Sequence, residues 1–327
     1  MTKSIDRTEL GLLIALPVLI CIAFMFPKWI VNYVQVSMGT GLVALGVMIQ
    51  MRAGLVSFGQ GLYFCVGGYA AGMGAKFFGV SDLFVLLVLG VLSSLVLSTV
   101  LGYLLRRYRE IFYAMLSLAV SMILFGLLSS TEELGSTDGF NLPTATYLGW
   151  APEGETARLV LYTITCFVVI GCAMGLNRFL KSPTGYVNEA IRENELRVEY
   201  LGTSAHKAVH ITYVLAAVVS AIGGVLWAMA LGHVDPEMTN WTTSGQFVFV
   251  SILSGIGNIV APLIGTFILE IIRVYAVEFS PNTWQLILGT VMLFTIIFLP
   301  KGLWSLLTRK SKPNQEQVST SDPAAGE

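Results

Sequence analysis

Charged side chains in this sequence concentrate in one short stretch, SPTGYVNEAIRENELRVEYLG at 182–202, which holds four glutamates and two arginines. Side chains of these types can relay protons, ligate a metal or bind a partner protein. His206 and His210 follow one helical turn apart, a spacing that could bring both to one metal ion. No third-ligand pattern such as His-Glu-x-x-His accompanies them, so we predict no metal and no cofactor.

The sequence also lacks the usual residues for ATP binding and for ion-coupled transport. A P-loop for ATP requires Gly-x-x-x-x-Gly-Lys-Ser/Thr, and the dipeptide Gly-Lys does not occur in the sequence. Ion-coupled carriers usually need ionised groups within the membrane. The best candidates, Glu270 and Arg273, stand at i and i+3 and are expected to pair with each other. No nucleophile–base pair suggests an enzyme.

The elements that must position these groups are long apolar segments. The chain is 55% apolar and 12% charged, about half the roughly 25% charged residues of soluble domains. Segments of membrane-spanning length recur from end to end. We predict an all-α polytopic membrane protein with about ten transmembrane helices, within a range of eight to ten: 10–26, 32–51, 61–79, 83–105, 111–128, 158–178, 208–231, 243–257, 259–275 and 283–300.

Two glycine-rich stretches interrupt this pattern. AGLVSFGQG precedes the third predicted span, and SGIGNIVAP ends the short eighth one. Glycine and proline break regular helix, and irregular backbone is tolerated at membrane depth only within protein or beside a wet cavity. Both stretches are therefore predicted to be broken or re-entrant.

The remaining segments give the domain boundaries and the orientation. We expect a membrane domain at 1–308, with an outer loop at 129–157 and a polar helix at 182–202, and a disordered tail at 309–327. Most of the 19 lysines and arginines fall on the side of the N-terminus, which predicts cytoplasmic N- and C-termini. The net charge of −1 gives no field that would attract nucleic acid.

The polar stretch reads as an amphipathic helix too short to span. At roughly 100° per residue six uncharged residues share one arc that excludes all four glutamates and Arg192, and Arg197 lies at the edge of that arc. Such a helix could lie on lipid, although these are usually basic rather than glutamate-rich. It could be a solvated linker, or it could dock its apolar stripe into a groove of a cytoplasmic protein. The arc comprises Val187, Ala190, Ile191, Asn194, Val198 and Leu201.

Several stretches, in order along 35–305, resemble one family. They are similar to the permease subunits of branched-chain amino acid ABC importers, LivM-like members above all. The stretches are GLVSFGQGLYFCVGGYAAG, the polar stretch with its SPTG start and AIREN core, LGHVDPE, LSGIGNIVAPLIGTFILE and FLPKGLW. The outer loop departs from the family, since GSTDGFNLP has Ser-Thr-Asp-Gly where Thr-Gly-Gly is usual.

The resemblance implies a non-catalytic subunit of a transport complex in the bacterial inner membrane. Its partners would be two ATP-binding subunits, a second, LivH-like permease and an extracytoplasmic solute-binding protein. The polar stretch would be the coupling helix, and ATP binding would rock the permease helices through it. Its matching residues in or beside the ATPase groove are Glu189, Ala190, Arg192, Glu193, Asn194, Glu195 and Gly202.

The substrate is less defined by the resemblance. The family carries branched-chain amino acids, and also other amino acids, amides, urea and aromatic acids, with selectivity resting largely on the binding protein. Uncharged polar residues could line the path for a zwitterion, or could simply form interhelical hydrogen bonds. They are Ser57, Gln60, Tyr63, Ser117, Ser121, Gln246 and Asn258.

Three alternative functions stay open at this point. The chain could be an ion-coupled carrier working alone, which would need a coupling-ion site. It could be a membrane-embedded enzyme, which would need ionisable or metal-binding groups clustered at one depth. It could also be a structural subunit that takes no part in transport.

Overall fold

The computed structural model describes residues 7–281, 283–298 and 302–304, and eleven α-helices make up most of that part of the chain. The predicted tail at 309–327 lies outside the described residues. In chain order the helices are α1 Arg7–Met25, α2 Lys28–Arg52, α3 Gln60–Phe78, α4 Leu83–Leu105, α5 Glu110–Ser130, α6 Gly154–Leu180, α7 Pro183–Tyr200, α8 Ala205–Leu231, α9 Trp241–Ser254, α10 Val260–Phe279 and α11 Trp284–Phe298.

Each of the ten apolar segments falls on a helix, and α7 is the polar stretch between α6 and α8. Seven helices, α1, α2, α4, α5, α6, α8 and α10, are long and apolar enough to cross a membrane. By contrast, α9 and α11 have 14 and 15 residues, and α3 is rich in glycine. A polytopic all-α membrane protein is therefore confirmed, whereas the count of ten spans stays a prediction.

The centre of the bundle is formed by α2, α3 and α8, which approach each other through small residues. A Cβ atom on Gly223 of α8 would overlap the carbonyl of Gly39 on α2. On the other side of α8, Gly224 lies against the carbonyl of Phe64, and Gly67 of α3 lies against that of Ala221. Because lipid gives no hydrophobic drive between helices, such close backbone contact is what holds membrane helices together.

Each connection between helices lies at one of the two ends of the bundle. At the end that carries α7, Arg52 donates through Nε to the carbonyl of Ile256 at 2.9 Å, and the N–H of Leu303 donates to the carbonyl of Leu253 at 2.8 Å. This end also contains the turn between α4 and α5. We call it the α7 end.

The opposite end is closed by the long loop between α5 and α6. Two short antiparallel strands join this loop to the segment after α8: β1 Phe140–Asn141 and β2 His233–Val234. Asp82 caps α4 by accepting from the N–H of Phe84 at 3.0 Å, and its second carboxylate oxygen accepts from the N–H of Leu148. Short 3₁₀ turns complete the loops, one of them at Pro236–Thr239.

Regular helix is interrupted at both glycine-rich stretches, as predicted. The backbone between α2 and α3 is irregular from 53 to 59. Between α9 and α10, Gly255 has φ 88° and ψ 151°, a conformation essentially reserved for glycine. Both irregular stretches are connections between helices at the α7 end, and whether they are broken or re-entrant within a membrane stays a prediction.

The contact of α3 with α8 can be tested by adding one methyl group. Gly224→Ala should lower the thermal unfolding midpoint of the purified chain, because the new Cβ displaces the α3 backbone at a cost of about 1–3 kcal/mol. Gly171→Ala on α6 is the matched control, since its Cβ would meet nothing within 4 Å. Equal midpoints for the two variants would contradict the packing described for α8.

Candidate functional site

The polar helix α7 has its own start and an internal break. Ser182 caps it by accepting from the N–H of Gly185 at 3.4 Å, and Pro183 occupies the first turn, where its missing N–H costs nothing. Asn194 has φ −163° and ψ 102°, so the helix is divided there. The side chain of Asn194 accepts from the N–H of Arg197 at 3.0 Å and caps the second part. The predicted single helix is therefore two segments.

The apolar stripe of α7 packs on this chain's own helices. Ile191 and Val198 are each only 5% exposed and belong to a core cluster with Val209 of α8. Asn188, also buried, donates to Oγ1 of Thr212 at 2.7 Å. Ile191 and Val198 therefore do not face a partner, whereas Ala190, Asn194 and Leu201 of the same arc are exposed, so docking of α7 into a partner's groove stays a prediction. A helical projection shows which residues share a face, but not whether that face meets the same chain or another.

Two ion pairs tie α7 to other connections at the same end. Arg109, at the turn between α4 and α5, donates to both carboxylate oxygens of Glu195, at 2.8 and 2.7 Å. Arg52, at the end of α2, lies 3.1 Å from Glu189 while its guanidinium also binds the carbonyls of Ile256 and Gly257. A displacement of α7 would therefore be transmitted to α2, to the α4–α5 turn and to the break between α9 and α10.

Glu195 and Glu199 also lie near His206, with ligand atoms of the three residues within 4.8 Å of one another. The Nδ1 atom of His206 is 3.8 Å from Glu199. Because Arg109 already occupies both oxygens of Glu195, we assign this group to an ion-pair network rather than to a cation site. The prediction that His206 and His210 bind no metal stays a prediction.

The outer face of α7 is exposed and partly apolar. Tyr200 and Leu201 are 88% and 80% exposed, and Tyr186 and Leu196 are also exposed. The seven residues predicted to couple to an ATPase are on or beside this face, and only Glu195 among them is half-buried. The remaining six are Glu189, Ala190, Arg192, Glu193, Asn194 and Gly202. Their role in docking stays a prediction.

Most of the predicted path residues are buried and bonded between elements. The hydroxyls of Tyr63 and Tyr213 are 2.8 Å apart, and Ser220 donates to Oε1 of Gln60 at 2.8 Å. Ser121 donates to the carbonyl of Thr239 at 2.8 Å. These contacts are the interhelical hydrogen bonds that the sequence left open as the alternative.

The other predicted path residues do not gather at one place. Ser57 and Ser117 are buried and accept backbone N–H groups next to α3. Asn258 lies at the α7 end, where its side chain accepts from the N–H of Val260 at 3.0 Å. Gln246 lies towards the opposite end and lines a cleft. A role in transport for these residues stays a prediction.

That cleft has a volume of about 350 Å³ and lies between α9, α10 and the segment after α8. Its charged lining residues are Asp235, Glu237, Glu270 and Arg273. The predicted pairing of the last two is confirmed, with Arg273 Nη1 3.6 Å from Glu270 Oε1. Asp235 and Glu237 belong to the LGHVDPE stretch, and nothing in its residue types or spacing predicts a charged cleft, since only the fold brings these two carboxylates beside α10.

Asp235 has a carboxylate that is costly to ionise. Burial raises the pKa of this carboxyl above its ordinary value, and the nearby His233 acts in the opposite direction. The backbone carbonyl of Asp235 accepts from the N–H of Met238 at 3.4 Å, within the short turn at Pro236–Thr239 that forms one wall of the cleft.

The long apolar helices place the chain in the class of polytopic α-helical membrane proteins. The family described as "Branched-chain amino acid transport system / permease component" matches residues 29–296, and the chain belongs to this family. No solved structure shows a significant match to the chain.

The chain is similar to named permease proteins over most of its length. It is 25% identical to the high-affinity branched-chain amino acid transport system permease protein LivM of Escherichia coli, covering 92% of this chain and 76% of LivM. It is 24% identical to LivH of the same organism, over 85% of this chain and 95% of LivH. It is 21% identical to BraD of Pseudomonas aeruginosa, over 84% and 94%. The predicted family is confirmed.

The Arg109–Glu195 pair can be tested by exchanging its charges. Arg109→Glu and Glu195→Arg should each lower the thermal unfolding midpoint, because each places like charges together at a partly buried site. The double exchange should recover stability, with a coupling energy of about 1 kcal/mol for a partly buried pair with two hydrogen bonds. Glu153→Arg, in the exposed loop before α6, is the control. Strictly additive effects would contradict the pairing.

Proposed function

We propose that this chain is a permease subunit of an ATP-binding-cassette importer that carries branched-chain or related amino acids. It would form part of the translocation path, with two ATP-binding subunits, a second permease and an extracytoplasmic solute-binding protein as partners. Membership in the permease family and the names of its relatives support this proposal. They favour branched-chain amino acids over urea, amides or aromatic acids as substrates.

The observation that carries the proposal is that α7 packs on this chain with one face and exposes the other. Its inner face is fixed to α8 and ion-paired to two further connections, while its outer face stays exposed. A subunit without its own P-loop must receive energy from a partner. An ATP-binding subunit that contacts the outer face of α7 would move α2, the α4–α5 turn and the α9–α10 break together.

The placement of the loops supports a topology of ten alternating spans with the α7 end in the cytoplasm. If every helix except α7 crosses the membrane, the connections must alternate between two ends, and the described contacts sort them in this way. Arg52, Arg106, Arg107 and Arg109 all lie at the α7 end, as the positive-inside rule requires of a cytoplasmic face. Both termini would then be cytoplasmic, in the inner membrane of a bacterium, with 1–308 as the permease domain.

Cysteine crosslinking tests the contact with the ATP-binding subunit. Ala190→Cys and Glu193→Cys, both on the exposed face, should crosslink to cysteines in a co-expressed ATP-binding subunit. Ile191→Cys is the matched control, because that side chain is buried against α8 and should give no crosslink. A complex that transports but yields no crosslink from either exposed position would count against the role of α7.

Labelling of intact cells tests the orientation. Thr144→Cys in the long loop should react with a membrane-impermeant maleimide from outside, whereas Lys207→Cys at the α7 end should react only after lysis; both positions are exposed. The parent chain gives the background of its native cysteines. The reverse pattern would invert the proposed topology.

A further inference from the structure

The cleft away from α7 combines two opposite charges with an aromatic floor. Glu270 and Arg273 lie one turn apart on α10, and both line the cleft. The floor is built by Phe64, Trp227 and Phe247, whose rings lie 5.3 Å apart in two edge-to-face contacts. Charges of both signs beside an apolar surface match the two ends of an amino acid that has an apolar side chain.

The ion pair on α10 is too long for a strong hydrogen bond. Its nitrogen and oxygen are 3.6 Å apart, whereas charge-assisted hydrogen bonds measure about 2.7–2.9 Å. The Glu270 side chain is only 12% exposed, and it lies on a helix long and apolar enough to span the membrane. Ionisable groups in such helices are costly and usually serve a ligand or an ion.

The other carboxylates of the cleft lie on the loop after α8 and not beside Arg273 on α10. The backbone carbonyl of Asp235 accepts from the N–H of Met238 at 3.4 Å, which fixes this residue within the loop. Glu237 is exposed and accepts from the side-chain amide of Asn240 at 2.8 Å. Glu270 is therefore the acid best placed for an ammonium group. The volume of about 350 Å³ lies at the small end of the range for ligand sites, about 300–1,000 Å³.

We propose that this cleft is a binding subsite for a zwitterionic α-amino acid with an apolar side chain. Glu270 binds the α-ammonium, Arg273 binds the α-carboxylate, and the side chain rests on the aromatic floor. Gln246 offers a further polar contact, and Thr242 lines the same cleft without contributing to the proposed contacts. The inference rests on the proposed function for its choice of substrate class.

The test uses Thr242→Cys as a reporter in the full chain, purified in nanodiscs, with the parent chain as the labelling blank. L-Leucine should slow maleimide labelling of this cysteine. The amine 3-methylbutylamine and the acid 4-methylpentanoate each lack one charged end, so each should protect about tenfold more weakly, the effect of losing one hydrogen bond to a charged group. No protection by leucine would overturn the proposal. Protection by the amine equal to that by leucine would do the same, since it would indicate a simple cation site.

The same protection experiment is repeated with Thr242→Cys combined with Glu270→Gln. In this variant leucine and 4-methylpentanoate should protect about equally, because the ammonium no longer has a partner. The matched control is Glu278→Gln, an exposed glutamate two turns further along α10 that does not line the cleft, and it should keep the preference for leucine. A preference that survives in Glu270→Gln would overturn the assignment of the ammonium site.

The same variants separate this inference from the proposed function. ATP-dependent leucine uptake is measured in the assembled importer, whereas protection is measured on the chain alone. Uptake that persists while leucine fails to protect Thr242→Cys would overturn the subsite and leave the proposed function standing. Protection without any ATP-dependent uptake would support the subsite and contradict the importer.

Discussion

Backbone-to-backbone contact among α2, α3 and α8 determines where everything else in this molecule can lie. The glycines at 67, 223 and 224 leave no space for even a methyl group where α8 meets α2 and α3. A solute path therefore cannot run through either of these two contacts. The charged cleft lies at the edge of this unit, where α9 and α10 pack against α2.

The same close packing explains the buried polar residues at its margins. A hydroxyl or amide surrounded by apolar groups costs free energy unless it finds a partner. Tyr63 meets Tyr213, and Gln60 meets Ser220, where α3 and α8 pack together. Each bond fixes the register of one helix against the next. Uncharged polar residues in a transporter can thus be part of its framework even where their chemistry would suit a solute.

Periodicity and composition predicted the helices well, because the length of an apolar segment and the breaks at glycine and proline are local properties. All ten apolar segments coincide with helices, and the pairing of Glu270 with Arg273 follows from their spacing on α10. The direction in which a helix faces is not local. Ile191 and Val198 share an arc in any projection, yet only the position of α8 decides that they are buried in the same chain. The cleft was unpredictable for the same reason, since Asp235 reaches α10 only through the fold of the loop after α8.

The break at Asn194 gives α7 the properties of a joint. Glu189 precedes it and is bound to Arg52, whereas Glu195 follows it and is bound to Arg109. A continuous helix would move both anchors by the same rotation. With a non-helical residue between them, the two segments can turn by different amounts, so a single contact on the exposed face of α7 can produce two distinct movements within one subunit.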